Sequence, residues 1–449
     1  MRQVDGGEQG RGGDTAWRRA RRWLLRAWQP GESLSQRIAQ GGLWITAIQV
    51  ATRSLTVART VVLARLLAPR DFGLMGITAM AMSTLDIPTR SGFKEALIQH
   101  PGEIEADLDT AWTISATRGF LLAAILYLGA PAVARFFENA AAAPVMRVGA
   151  LCLLLDGLTN IGMVRLQRDL TFNRQVVYQM SGALADVAVG VAAGFLLRSV
   201  WALVLGRLAR SLVGLVASYL VDPYRPRLRL NWGRARSLYG FGRWVVASRL
   251  LFFLFTQGDD AFVGKLLSAS ALGLYQMAYR ASNLAAQETG DVIYRLTFPA
   301  FSRVQDDLDR LRDGYVQVLK VTSFVFVPVT ALFVVLGGEL TRAFFGATWV
   351  PMVGAMRVLA LWALVRSVVG TASPVLQALG RPDRAAKTLL MRLIMLAALI
   401  YPLTVRWHIM GTAVAVLLSA LPAALLTGHL TARVLGRSMR WLARYLVVP

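Results

Sequence analysis

The chain has 449 residues, of which 55% are hydrophobic and only 17% are charged, and its mean hydropathy is +0.49. A soluble domain carries about a quarter charged residues, so this balance excludes an ordinary water-soluble globule. The formal net charge is +23, but a nucleic-acid-binding protein is disfavoured because its basic residues would decorate a polar surface. The single cysteine, Cys152, excludes an intramolecular disulfide and a cysteine-clustered zinc site.

The first 37 residues are basic and aromatic rather than continuously apolar. The run Arg21-Arg22-Trp23-Leu24-Leu25-Arg26 is similar to a twin-arginine export signal, which requires an apolar stretch directly after it. Gln29-Pro30-Gly31 follows instead. The sequence therefore predicts that 1–37 is an interfacial segment on the cytoplasmic membrane surface.

Beyond residue 41, apolar stretches long enough to cross a ~30 Å hydrocarbon core follow one another. Lipid-exposed backbone must satisfy its own hydrogen bonds, and the alternating pattern of a β-barrel is absent, so these stretches should be helices. The fold class predicted is an all-α integral membrane protein with about twelve transmembrane helices. The predicted spans are 43–63, 72–98, 111–134, 145–164, 176–197, 200–220, 241–264, 271–298, 320–342, 353–379, 386–405 and 411–432.

The basic residues favour cytoplasmic N and C termini. With that orientation, the cytoplasmic side carries 29 of the 49 Lys and Arg residues, as the positive-inside rule requires. The chain then divides into an N-lobe of six helices, a cytoplasmic linker, a C-lobe of six helices and a basic amphipathic tail. The predicted N-lobe is 38–221, the linker is 222–238, the C-lobe is 239–432 and the tail is 433–449.

Charged residues inside the spans are the candidate functional groups. Each charge near mid-bilayer costs about 2.5–3.5 kcal/mol, so such side chains should face a polar interior or each other. Once the charged residues at or near the span ends are assigned to the two sides of the membrane, twelve bases and eight acids remain within the spans, and this excess of positive charge predicts a cationic cavity. Its candidate lining residues are Arg53, Arg59, Arg90, Arg118, Arg249, Arg280 and Arg366. Candidates for a coupling-ion site are Asp86, Asp259 and Asp260, each of which is also a candidate structural partner of a nearby arginine.

Short matches between the two halves predict an internal repeat. Arg65-Leu66-Leu67 matches Lys265-Leu266-Leu267, and Phe72-Gly73-Leu74 matches Leu272-Gly273-Leu274, both at an offset of 200 residues. A weaker echo runs from Trp201-Ala202-Leu203-Val204 to Gly411-Thr412-Ala413-Val414. An even number of helices per repeat preserves sidedness, so the lobes should be related by an axis along the membrane normal and enclose a central cavity.

Some of these segments also resemble a known family. The run Ala64-Arg65-Leu66-Leu67-Ala68-Pro69-Arg70-Asp71-Phe72-Gly73-Leu74 is similar to the signature of bacterial polysaccharide flippases in the multidrug/oligosaccharidyl-lipid/polysaccharide exporter superfamily. So are Asp260-Ala261-Phe262-Val263-Gly264-Lys265-Leu266-Leu267 and Leu376-Gln377-Ala378-Leu379-Gly380-Arg381. The resemblance implies two helical lobes and translocation of a lipid-linked oligosaccharide.

The resemblance and the cationic interior lead to one functional hypothesis. It is a non-enzymatic flippase for undecaprenyl-pyrophosphate-linked oligosaccharide units of O-antigen, capsule or exopolysaccharide, working by alternating access. The expected partners are that lipid, membrane phospholipids and a polysaccharide polymerase or chain-length complex; nucleic acid, metals and other cofactors are not expected. Two alternatives stay open: an organic-cation antiporter of the same superfamily, and a multispanning O-antigen polymerase or ligase.

Overall fold

A computed structural model describes residues 34–89, 105–168, 172–231 and 257–439, with the single positions 97 and 441. Helices account for most of these residues. They are α1 (Leu34–Leu66), α2 (Pro69–Thr89), α3 (Glu105–Phe136), α4 (Ala142–Gly157), α5 (Met163–Arg168), α6 (Phe172–Leu197), α7 (Trp201–Val221), α8 (257–266), α9 (Ala269–Arg303), α10 (Leu308–Phe344), a 3₁₀ helix (Ala347–Met352), α11 (Val353–Gly370), α12 (Ala372–Ala378) and α13 (Pro382–Val434).

Six helical stretches of the described chain are long and apolar enough to cross a membrane, which confirms a multispanning all-helical protein. They lie within α3, α6, α7, α10, α11 with its flanking short helices, and α13. In the part of the chain that the structure describes, each of the twelve predicted spans overlaps helical residues, but two of the spans are interrupted. The stretch 145–164 is interrupted after Gly157, and 353–379 is interrupted at Thr371.

α13 is two helices folded back on each other. Trp407 and His408 leave helical geometry, and His408 has φ of 54°. The hydroxyl oxygens of Thr404 and Thr412 lie 2.8 Å apart, whereas eight residues of straight helix would span about 12 Å. Gly411 permits the reversal, because a Cβ there would overlap the Leu403 carbonyl oxygen. The two arms correspond to the predicted spans 386–405 and 411–432.

The helices pack mainly with others from their own half of the chain. In the N-terminal half α6 packs on α7 and α1, α3 on α4, and α4 on α7 and α2; in the C-terminal half α11 packs on α9, α10 and α13. Fully buried side chains such as Leu63, Ile77 and Leu126 fill the first bundle, and Leu359 and Ala413 lie in the second. Each half thus has apolar packing of its own.

α2 and α9 cross and join the two halves. A Cβ on Gly73 would overlap the Ala269 carbonyl oxygen, and a Cβ on Gly273 would overlap the Pro69 carbonyl oxygen. The contact is reciprocal, since each glycine meets the residue four positions before the other. Only glycine allows the two backbones to approach this closely. Beside the crossing, the Phe72 and Trp349 rings meet edge-on with centroids 5.1 Å apart.

The first part of the predicted linker is an extended segment bound to the N-terminal half. The Asp222 carboxylate pairs with Arg165, and the backbone N–H of Arg227 donates to the Asp109 carboxylate at 3.0 Å. The Tyr224 hydroxyl donates to the same Asp109 carboxylate; burial and this carboxylate raise the pKa of Tyr224. Residues 222–231 are therefore held by hydrogen bonds rather than spaced away from the bundle.

Candidate functional site

A cavity of about 550 Å³ lies between α1 and α2 of the first half and α8 and α9 of the second. Both halves supply polar side chains to it. Its polar lining comprises Arg53, Thr56, Thr60, Ser83, Gln257, Asp259, Asp260, Gln276, Tyr279 and Arg280. A site divided between two bundles changes shape when the bundles move, which suits a transport site better than a fixed catalytic pocket.

Two adjacent carboxylates on α8 are tied to α9. The Tyr275 hydroxyl donates to the Asp259 carboxylate at 2.7 Å, and the Gln276 amide donates to Asp260 at 2.9 Å. The Asp260 backbone N–H also donates to Asp259 at 3.1 Å. Asp259 is buried, and a buried carboxylate is tolerated only when such donors satisfy it. Both predicted ion-coupling candidates on α8 therefore lie at the cavity, with their acceptor oxygens partly engaged.

A side pocket of about 170 Å³ extends into the N-terminal half and shares Arg280 with the cavity. Within it the Arg59 guanidinium pairs with Asp186 at 3.0 Å. Two glycines make room for this pair: a Cβ on Gly206 would lie 2.7 Å from the Asp186 carboxylate, and a Cβ on Gly190 would lie 3.0 Å from the Arg59 guanidinium. The pocket is therefore shaped around a guanidinium.

The side pocket holds more positive than negative charge. Arg207 and Arg210 line it together with Arg59 and Arg280, against the single carboxylate of Asp186. Arg207 also reaches a carboxylate outside the pocket, at 3.5 Å, whereas Arg210 and Arg280 have no ion-pair partner among the described residues. Guanidinium groups bind phosphate oxygens bidentately and stay charged in a low-dielectric site. This cluster is suited to an anionic group from the cavity.

The predicted basic residues fall into different environments. Arg53 and Arg280 line the cavity and Arg59 lines the side pocket. Arg118 does neither, since it pairs with Asp86 across the α2/α3 packing at 2.9 Å and reaches the Thr89 hydroxyl at 3.0 Å. The same pair shows that Asp86 is bound to a neighbouring helix. Arg90 and Arg249 lie outside the described residues.

The remaining candidate, Arg366, belongs to an aromatic cluster behind the cavity wall. Arg366 and Arg392 both lie against the Trp362 ring, at 5.4 and 5.2 Å from its centroid. The Tyr279 ring, which faces the cavity, packs on Trp362 with centroids 5.5 Å apart. Sequence reasoning singled out neither Trp362 nor Arg392, although both lie within predicted spans, 353–379 and 386–405.

Two packed helix bundles with a polar cavity between them form the fold of solved membrane transporters. In agreement, the fold matches the lipid II flippase MurJ in an inward closed conformation with a TM-score of 0.72 at 12% identity, over 90% of each chain. It also matches an inward-facing multidrug resistance MATE family transporter with a TM-score of 0.65 at 13% identity, over 86% of this chain and 94% of the other.

The sequence comparison identifies the family. A model described as polysaccharide biosynthesis protein matches residues 62–354, and the chain belongs to that family. It is 24% identical to the lipopolysaccharide biosynthesis protein WzxC of Escherichia coli strain K12, over 79% of this chain and 73% of WzxC. It is 25% identical to the teichuronic acid biosynthesis protein TuaB of Bacillus subtilis strain 168, over 79% and 74%. The predicted resemblance is thereby confirmed.

Proposed function

We propose that this protein is a flippase for undecaprenyl-pyrophosphate-linked oligosaccharide units used in O-antigen, capsule or exopolysaccharide synthesis. The observation that carries the proposal is the polar cavity shared by the two halves together with its side pocket, which is lined by four arginines and one aspartate. A pyrophosphate crossing a low-dielectric layer needs cationic partners, and Arg53, Arg59 and Arg280 supply them. The sugars would occupy the aqueous cavity while the prenyl chain stays in lipid. The chain would move this substrate without chemical change.

The proposed architecture is twelve helices in two lobes related by an internal repeat. The sequence matches at an offset of 200 residues support it, and so does the reciprocal crossing. Gly73 and Gly273 are equivalent under that offset, and so are Pro69 and Ala269. A two-fold relation between lobes requires this reciprocity, because each residue then meets the equivalent of its own partner.

Transport would proceed by alternating access. The α2/α9 crossing lies near the helix ends predicted to face away from the cytoplasm, here called the outer end. Closure there leaves the opposite end as the entry route, as loading of a cytoplasmic substrate requires. Rocking of the lobes about the cavity would then release the saccharide outside. An inner-membrane location with cytoplasmic termini, domain boundaries at 38–221, 222–238 and 239–432, and contact with a polymerase or chain-length complex belong to the same proposal.

The energy source proposed is a proton or Na⁺ bound at Asp259 and Asp260. Both carboxylates lie at the cavity, and the donors Tyr275 and Gln276 of α9 fix their orientation. Binding of a cation there would reduce negative charge beside Arg280 and strengthen the field for an anionic head. The positive side pocket disfavours an organic-cation substrate, which is why the flippase is preferred over the antiporter.

The test is transport by purified protein in vesicles containing fluorescent lipid-linked oligosaccharides of several glycan types. Wild type should accelerate translocation, and Arg280→Gln should lower the rate about tenfold or more, because a charge-assisted contact contributes roughly 1.5–3 kcal/mol. Arg135→Gln is the matched control, since Arg135 is exposed and donates only to Pro131 of its own helix among the described residues. Equal rates in empty and wild-type vesicles for every glycan would reject the flippase.

A further inference from the structure

Two of the polar contacts between the halves at the outer end follow one geometric pattern. The Arg65 guanidinium donates to the carbonyl oxygens of Phe344, at 3.0 Å, and Ala343. These carbonyls terminate α10. In the other direction, the Lys265 ammonium binds the Glu138 carboxylate at 2.8 Å, just beyond the end of α3. Each half therefore sends one basic side chain to a helix terminus of the other.

The two contacts occupy equivalent places in the proposed repeat. Arg65 and Lys265 are separated by 200 residues, the offset of the sequence matches. Their targets also correspond: α3 ends at Phe136 and α10 at Phe344, and two residues beyond each end the backbone turns with positive φ, 52° at Glu138 and 101° at Gly346. If the two contacts were unrelated, there would be no reason for both the basic residues and the turns that they contact to be equivalent in the two halves.

The two contacts have different chemistry at their receiving ends. Arg65 meets backbone carbonyls that helix geometry leaves without intrahelical donors, and a cation there also opposes the negative end of the helix dipole. Lys265 meets a full carboxylate and lies over the Phe136 ring, 5.2 Å from its centroid. One contact is thus charge to dipole, and the other is charge to charge.

We propose that Arg65 and Lys265 are paired latches that hold the outer end closed while substrate loads from the cytoplasm. Their exposure fits this role, because Glu138 is 79% and Lys265 35% exposed on the side chain. An exposed ion pair contributes little compared with a buried one. The outer end must open in every transport cycle, so the contacts that close it must break easily. Two weak contacts together favour the closed state without preventing opening.

The test measures outer-end opening directly, without substrate. Cys152 is the sole cysteine of the chain, so a Cys152→Ala background carrying Ser83→Cys places one thiol on the cavity wall. A membrane-impermeant maleimide is added from the outer side, and the labelling rate is compared among variants. We expect Arg65→Gln and Lys265→Gln each to raise that rate about two- to fivefold, the range expected for exposed charged contacts, and the double variant to raise it by about the product.

Two controls separate latch loss from general damage. Arg135→Gln removes an exposed base at the same end of the molecule and should leave the labelling rate unchanged. The charge exchange Lys265→Glu with Glu138→Lys should return the rate to that of the parent. High salt should raise labelling of the parent but not of Lys265→Gln, because it screens exposed ion pairs.

The proposal would be overturned if Arg65→Gln and Lys265→Gln were both labelled no faster than Arg135→Gln. It would also be overturned if the charge exchange did not return the labelling rate to that of the parent. If a single variant inserts poorly, the exchanged pair and the salt response of the parent still decide the Lys265 latch. The inference rests on the two-lobe flippase proposed above, yet its readout does not require transport. If the variants were labelled faster as expected but the protein transported no glycan, the proposed flippase function would be rejected and the role of Arg65 and Lys265 in closing the outer end would be retained.

Discussion

Replacing Gly73 by alanine should open the outer end of the molecule. The added methyl group would overlap the Ala269 carbonyl oxygen, and α9 backbone cannot rotate away as a flexible side chain could. Overpacking of a well-packed contact costs about 1–3 kcal/mol, and here the cost applies only to the state in which α2 and α9 cross. The ratio of open to closed molecules should rise roughly 5- to 150-fold, since about 1.4 kcal/mol corresponds to tenfold. Gly273→Ala should act in the same direction through Pro69.

The assay is a distance measurement across the outer end. Spin labels at Arg135→Cys and Arg342→Cys, in a Cys152→Ala background, report the separation of the ends of α3 and α10 by double electron–electron resonance. Gly73→Ala should increase the population at long distance. Gly129→Ala is the matched control, because a Cβ at this α3 position meets no atom within 4 Å, and alanine favours helix there by up to about 1 kcal/mol.

A distance distribution for Gly73→Ala identical to that of Gly129→Ala would refute the reasoning. It would mean that the α2/α9 crossing is not the contact that holds the outer end together. A loss of folded protein in both variants would instead point to a general intolerance of helix substitutions. Thermal unfolding of each purified variant distinguishes the two outcomes.

Three further results are expected. Asp186→Asn should lower the unfolding temperature, because it strands a largely buried guanidinium at a cost of about 3–5 kcal/mol; scanning fluorimetry in detergent would measure this, and an unchanged temperature would contradict it. Asp109→Asn should release the segment 222–231 and speed its cleavage by trypsin, whereas equal cleavage rates would show that other contacts hold it. Lys265 lowers the pKa of Glu138, so their bond should persist at neutral pH and weaken as pH falls through that lowered pKa; the long-distance population between the spin labels at the ends of α3 and α10 should then increase, and a distance distribution that stays unchanged down to pH 3 would refute this.

Much of the fold follows from hydropathy, because the hydrocarbon thickness dictates span length whatever the packing. The sequence also predicts the reversal near His408, because the apolar stretches 386–405 and 411–432 are together too long for a single membrane span. The breaks after Gly157 and at Thr371 are marked only by local helix-breaking residues, Asn160 and Gly162 at the first and Gly370 and Pro374 at the second. Apolar composition continues across them, and their positions depend on how neighbouring helices pack.

The charged residues show where sequence reasoning ends. A search for acids three or four positions away detects only partners on the same helix. Asp86 and Arg118 are 32 positions apart and meet through helix packing, so no local pattern in the sequence identifies this pair. Arg392 and Trp362 likewise lie on different helices and meet through the packing of α11 on α13. Sorting arginines by role therefore required the tertiary structure.

The reciprocal crossing of α2 and α9 has a consequence for the origin of the chain. In a symmetric dimer, one surface patch on each copy binds the same patch on the other, and such an interface is called isologous. Gly73 with Ala269 and Gly273 with Pro69 form that arrangement within a single polypeptide. Under the two-lobe proposal, a six-helix ancestor already carried both sides of the interface. On that proposal, duplication and fusion of the ancestor would require only a connecting segment between the two copies.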